Sequence, residues 1–277
     1  MTNGFSSAGT KQASSQETEK WTGDKALLSE PGSICILGSK GRMGSMLMQE
    51  GAAAGFGMAG LDLPMDDLSC LKKARLVILC VPVPAIEEVL HTICPLMPKD
   101  AVLADITSVK ERPVACMLKC WQGDVVGTHP LFGPMHDTLD DLPVAMVRAR
   151  CSDTGFAIAC CFFSGLGYRL FDTDAETHDK AMARIHNINF VTSLAFCAQT
   201  SLDTSLNDFI TPSFRRRLAA AKKMLTEDAA MYSYLFEANP HSQQAVRQFS
   251  AILSLASAGD IDLLLSKARQ WWEDGKN

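Results

Sequence analysis

The stretch Gly127-Thr128-His129-Pro130-Leu131-Phe132-Gly133-Pro134 sets one histidine in a loop stiffened by two prolines and loosened by two glycines, directly after the apolar run Asp124-Val125-Val126. A strand ending there delivers an imidazole at a set place beside a cleft. An imidazole so placed can take up or release a proton near neutral pH. The same pattern suits a structural histidine in a tight turn, so other stretches must decide. One of them is Gly38-Ser39-Lys40-Gly41-Arg42-Met43-Gly44, which follows the apolar run Ser33-Ile34-Cys35-Ile36-Leu37 and opens a helix-like segment over 42–54. Strand, glycine turn and helix form a phosphate-binding arrangement: glycines let the backbone approach a pyrophosphate, and the helix N-terminus faces its charge.

The glycine spacing is Gly-x-x-Gly-x-x-Gly rather than Gly-x-Gly-x-x-Gly. Gly41 and Gly44 fit the second and third glycines of a dinucleotide turn, and Ser39 stands where the first belongs. Asp62 closes the next strand pattern, Gly57-Met58-Ala59-Gly60-Leu61-Asp62, where an acid accepts hydrogen bonds from an adenosine ribose. A carboxylate there repels a 2′-phosphate and favours NAD over NADP. A glycine turn without ligand and a solvated acid at a strand end are the competing readings.

The elements that would position these residues alternate. Ala74-Arg75-Leu76-Val77-Ile78-Leu79-Cys80-Val81-Pro82 reads as a buried strand with a helix after it over 84–96. Ala101-Val102-Leu103-Ala104-Asp105-Ile106 reads as another, followed by Thr107-Ser108-Val109-Lys110 at a helix start. Strands at Val125-Val126, Val144 to Val147 and Tyr168 to Phe171, with a helix over 155–163, complete a doubly wound, mostly parallel sheet of the α/β class. Ligands of such sheets bind beyond the carboxyl ends of the strands, where Gly38, Ser39, Gly41, Arg42, Met43, Gly44, Val81, Pro82, Ser108 and His129 are expected.

After Phe171 strand patterns give way to helical stretches over roughly 174–202, 212–237, 240–258 and 260–273, with Thr173-Asp174-Ala175-Glu176 read as a capping box. The expected organisation is a flexible tail over 1–31, a nucleotide domain over 32–172 and an all-helical domain over 173–277. The stripe His178, Met182, Ile185, Asn189 and Ser193 faces either the nucleotide domain or its own bundle.

Composition narrows the partners. A net charge of −5 with scattered basic residues suggests neither nucleic acid nor membrane surface, and no apolar run reaches the roughly 20 residues of a membrane span. The expected location is the cytoplasm. Ten cysteines lie mostly in apolar segments, with no Cys-x-x-Cys pair and no histidine cluster, so no metal is expected.

With the glycine turn, Asp105-Ile106-Thr107-Ser108-Val109-Lys110, the His129 stretch and Glu176-Thr177-His178-Asp179 in one order, the chain resembles the prephenate dehydrogenase family. The match is with the dehydrogenase part of the family's bifunctional chorismate mutase–prephenate dehydrogenases and covers about residues 32 to 275. With only a short tail before the first strand, a fused mutase domain is not expected. The resemblance implies a Rossmann-type NAD-binding domain followed by an all-helical dimerisation domain, an intertwined homodimer, and oxidative decarboxylation of prephenate in tyrosine biosynthesis. It places the catalytic histidine at His129 and its serine partner at Ser108, with Lys110 and Asp179 in support.

Two positions depart from the family. Where many members carry a second substrate histidine, this chain has Phe190, or Asn189 after a one-residue shift. The arginine that clamps a substrate carboxylate is replaced by Lys223, which keeps the charge and loses the bidentate geometry; Arg215, Arg216 and Arg217 are the alternatives, with a solvated basic face as their competing reading. Arogenate dehydrogenase is therefore a rival expectation, alongside a β-hydroxyacid dehydrogenase and a catalytically silent NAD-binding regulator.

Overall fold

Four-residue strands with every residue buried, apolar but for an acid closing one of them, belong in the middle of a parallel sheet covered on both faces, and three such strands form the centre here. They are β1 (Ile34–Leu37), β3 (Leu76–Leu79) and β4 (Val102–Asp105). β2 (Met58–Leu61), β5 (Val125–Pro130), β6 (Pro143–Arg150) and β7 (Arg169–Thr173) complete a seven-stranded sheet in the order β2-β1-β3-β4-β5-β6-β7. All neighbours run parallel except β5 and β6. The computed structural model describes residues 25–64, 67–135, 141–199 and 204–273.

The chain divides into two compact units. One runs to Thr107 and resumes over Pro113–Asp174; the other joins Ser108–Arg112 to the chain from Ala175 onward. In the first unit the helices are α1 (Lys25–Ser29), α2 (Arg42–Ala53), α3 (Ile86–Ile93), most of α4 (Glu111–Cys120) and α5 (Asp153–Gly165). α5 is apolar almost all round because it lies inside the core: Phe156, Ala159, Cys160, Phe162 and Phe163 are all buried. Its Phe162 ring meets Phe56 edge-on at 5.3 Å and Phe163 at 5.2 Å. Burying each such ring is worth about 1.5–3 kcal/mol. Ser152 caps α5, accepting from the Gly155 N–H at 3.0 Å while its hydroxyl donates to Asp124 at 2.7 Å.

Several expectations shift. α1 lies within the stretch read as a tail, with Leu28 fully buried in the core, because an apolar side chain there finds the sheet's helical layer; residues 1–24 lie outside the described residues. His129 is a strand residue rather than a loop residue, because β6 pairs antiparallel with β5 and extends it to Pro130, with His129 opposite Ala145. The helix that follows starts at Ala175, so Thr173, expected as its cap, ends β7 one residue before the cap position, and its hydroxyl donates to the Asp174 carbonyl at 3.3 Å.

The second unit is helical. α6 (Ala175–Met182) passes through a π-turn over Ala183–Asn187 into α7 (Ile188–Gln199), then come α8 (Pro212–Thr226), α9 (Ala229–Ala238), α10 (Ser242–Ser257) and α11 (Ile261–Glu273). The single helix expected over 212–237 is two, because the Glu227 and Asp228 N–H groups both turn back to the Lys223 carbonyl and end the first. Thr211 caps α8 through the Phe214 N–H at 3.2 Å, with Pro212 in the first turn, where its missing N–H costs nothing.

Candidate active site

The glycine turn is built by close approach. Gly38 holds φ at +85°, and a Cβ there would sit 2.5 Å from the Cys80 carbonyl oxygen on the neighbouring strand end. A Cβ on Gly44 would run into the Gly38 carbonyl, so α2 starts flush against the turn only because that position is bare. Gly41 caps α2 with no side-chain acceptor, and no acid stands in its first turn. The positive helix end is thus left to an outside anion, while Arg42 and Met43 begin the helix itself. These features fit a pyrophosphate.

Asp62 stands at the end of β2 and reaches this turn. Its carboxylate accepts from the Ser39 hydroxyl at 2.5 Å and from the Lys40 N–H at 3.0 Å. Gly60 makes room for Ser39, since a Cβ there would collide with its hydroxyl. Val81 and Pro82 follow β3, with Val81 packed beside Gly38 and the Pro82 carbonyl accepting from Ala85 N–H at 2.9 Å. Burial, then the carboxylates of Asp105 and Asp62, push the Cys80 thiol well above its usual range.

Asp105, which sequence reading left without a role, ties β4 to the histidine strand. Fully buried, it accepts from the Thr107 N–H at 3.0 Å and the Thr128 N–H at 3.3 Å, and the Thr128 hydroxyl donates to its carbonyl. Thr128 precedes His129, which is 3 % exposed. An acid closing an apolar strand was the available signal; its partner on β5 was not readable from one sequence. Beyond His129, Phe132 meets the Tyr168 ring edge-on at 4.8 Å, and the Tyr168 hydroxyl donates to Glu50 on α2. Glycine turn, Asp62, Val81, Pro82 and His129 therefore share the carboxyl edge of one sheet.

Ser108 opens the segment that belongs to the second unit. In that unit Asp179 accepts from the Lys110 N–H at 2.7 Å and the Glu111 N–H at 2.9 Å, and faces His178 Nδ1 at 2.8 Å. Sequence reading missed the polar residues beneath: Asn239 donates to the Asp179 carbonyl at 2.8 Å, and Asn187 donates to Ser242 at 2.7 Å, all buried. Burial, then the nearby His178, lowers the pKa of His186 in the π-turn. Phe190 is buried and stacks on Tyr232 at 5.5 Å, whereas Asn189, Arg215 and Lys223 are exposed.

A sheet of this order, with a bare glycine turn at a helix start and an acid on the second strand, defines a Rossmann-type nucleotide-binding domain. Residues 49–147 match the family model described as prephenate dehydrogenase, nucleotide-binding domain. The chain is 26 % identical over 274 residues to a T-protein of Enterobacter agglomerans, covering 94 % of this chain and 73 % of that one. It is 28 % identical over 227 residues to the Haemophilus influenzae T-protein, covering 79 % of this chain and 59 % of the relative. The solved structure of Aquifex aeolicus prephenate dehydrogenase, in complex with hydroxyphenyl propionate and NAD+, shares the fold with a TM-score of 0.70 at 17 % identity, over 86 % of this chain and 94 % of that one. Residues 49–147 thus match a prephenate dehydrogenase nucleotide-binding domain, and over most of its length the chain is similar to T-proteins.

Proposed function

We propose that the chain is an NAD-dependent prephenate dehydrogenase, converting prephenate to 4-hydroxyphenylpyruvate in tyrosine biosynthesis. The observation that carries this is His129, buried at the end of β5 on the sheet edge that also bears the glycine turn and Asp62. Gly38, Gly41 and Gly44 would admit the pyrophosphate of NAD and Asp62 the adenosine ribose, and bound NAD supplies a hydride acceptor. His129 takes the proton of the ring hydroxyl as hydride departs from the carbon that bears it. Ser108 orients the imidazole or that hydroxyl. Loss of the ring carboxylate as carbon dioxide then makes the ring aromatic, so the protein's task is to position the substrate and polarise one C–O bond.

A second reading takes arogenate as substrate: it differs in the side-chain amine and keeps the carboxylates, so Lys223 in place of the family's arginine does not separate the two. The deciding experiment follows absorbance at 340 nm with NAD and either substrate. A rise with prephenate supports the first reading and a rise with arogenate alone the second. If neither substrate reduces NAD or NADP while NAD still binds, both fall.

We further propose that the second unit pairs with a second copy of the chain. Ile252 and Leu253 on α10, and Ile261, Leu263 and Leu265 on α11, are each more than 40 % exposed, too much apolar surface on two adjoining helices for water to cover cheaply. Sedimentation at micromolar concentration is expected to give twice the chain mass of 30.1 kDa; a monomer there removes the proposal.

A further inference from the structure

A helix normally takes the cap for its first amides from a residue next to it in sequence. α4 takes it from Asp179, 68 residues after Glu111. This carboxylate has no exposure; one oxygen accepts from the Lys110 N–H and the other from the Glu111 N–H, while His178 Nδ1 closes on the first. The Asp179 backbone carbonyl is held in turn by the Asn239 side-chain amide, whose Oδ1 accepts from the His241 N–H at 2.9 Å. His241 reaches the same short segment a second time, through Nε2 to the Glu111 carboxylate at 2.6 Å. Ser108–Arg112 is therefore pinned from within the helical unit at its backbone by Asp179 and at a side chain by His241, with Asn239 tying the two anchors together.

We propose that Asp179 is a positioning residue: by capping the first turn of α4 it fixes where the Ser108 and Lys110 side chains stand for the reaction. This rests on the reading of Ser108 as part of the reaction site. Asparagine is nearly the same size but presents one acceptor oxygen, so it satisfies one of the two backbone donors and turns an N–H₂ toward the other. The segment then relaxes while the sheet edge that bears the glycine turn, part of the other unit, is untouched.

The test is Asp179→Asn in the full chain, assayed with NAD and with prephenate or arogenate. Turnover is expected to fall about 10- to 100-fold, the size of effect a small misplacement produces, with the KM for NAD changed less than about twofold. The Lys110 and Glu111 amides are expected to exchange hydrogen faster than in the parent. Phe163→Leu serves as control: it loosens the core of the first unit and is expected to lower the melting temperature without lowering turnover per folded molecule. A parental turnover in Asp179→Asn, or an equal loss in the control at a matched melting temperature, overturns the proposal. Should Asp179→Asn fail to fold, exchange in the parent decides: 108–112 must be as protected as α6, and exchange at the rate of an exposed loop overturns the capping. A parent inert to both substrates sinks the reading of the reaction instead, and the exchange measurement still judges the cap.

Discussion

With asparagine in place of His129, turnover is expected to fall about 10²- to 10⁴-fold, the range for loss of a positioned general base, while NAD binds as before. Asparagine keeps a polar group of similar length on a strand whose register is set elsewhere, by the Asp105 contacts to Thr128 and the antiparallel pairing with β6. The fold around the position therefore has no reason to move. The nucleotide contacts proposed lie at the ends of β1, β2 and β3, separated from β5 by β4, so the two functions should be divisible by mutation. Steady-state rates and an NAD titration on the same preparation check this. An unaltered rate would remove His129 from the mechanism, and lost NAD binding would show that it holds the sheet edge together instead.

The second large effect is expected at Gly44. An alanine Cβ there collides with the Gly38 carbonyl, which is backbone and itself fixed by the approach of Gly38 to Cys80. Neither side can yield by a side-chain rotation, so α2 must withdraw from the turn. Forced overpacking of this sort costs about 1–3 kcal/mol of stability, at times more. Withdrawal also carries the helix N-terminus away from the pyrophosphate, and a loss of about 1.4 kcal/mol there weakens NAD tenfold. Gly44→Ala is thus expected to melt earlier and to bind NAD at least about tenfold more weakly, read by thermal unfolding with and without NAD. A variant stabilised by NAD as strongly as the parent would show that the turn does not cradle the cofactor.

The centre of the sheet was legible because β1 and β3 are short unbroken apolar runs and β4 is one up to its closing acid, lengths and flanking turns that suit strands buried on both faces. The glycine turn was legible despite its irregular spacing, since strand and helix flank it as the chemistry requires. What sequence pattern could not show is pairing between distant segments. β5 looked like a two-residue strand until β6, antiparallel to it, extended it through His129. Helix interruptions were equally silent: the π-turn at Ala183–Asn187 and the break at Glu227–Asp228 carry neither glycine nor proline. Asp179 was expected, with Lys110, only as a supporting residue that the resemblance implied, and nothing in the pattern showed that its carboxylate takes the Lys110 and Glu111 amides.

The long-range cap also bears on the order in which the chain can fold. The first turn of α4 is synthesised 68 residues ahead of the carboxylate that satisfies it, and closing a loop of that length costs entropy before any contact repays it. Strands β1 to β5 and the rest of α4 can assemble while this turn is still frayed. Ser108 and Lys110 then gain fixed positions only when α6 arrives, so the segment read as catalytic is among the last to settle on the way to the native state.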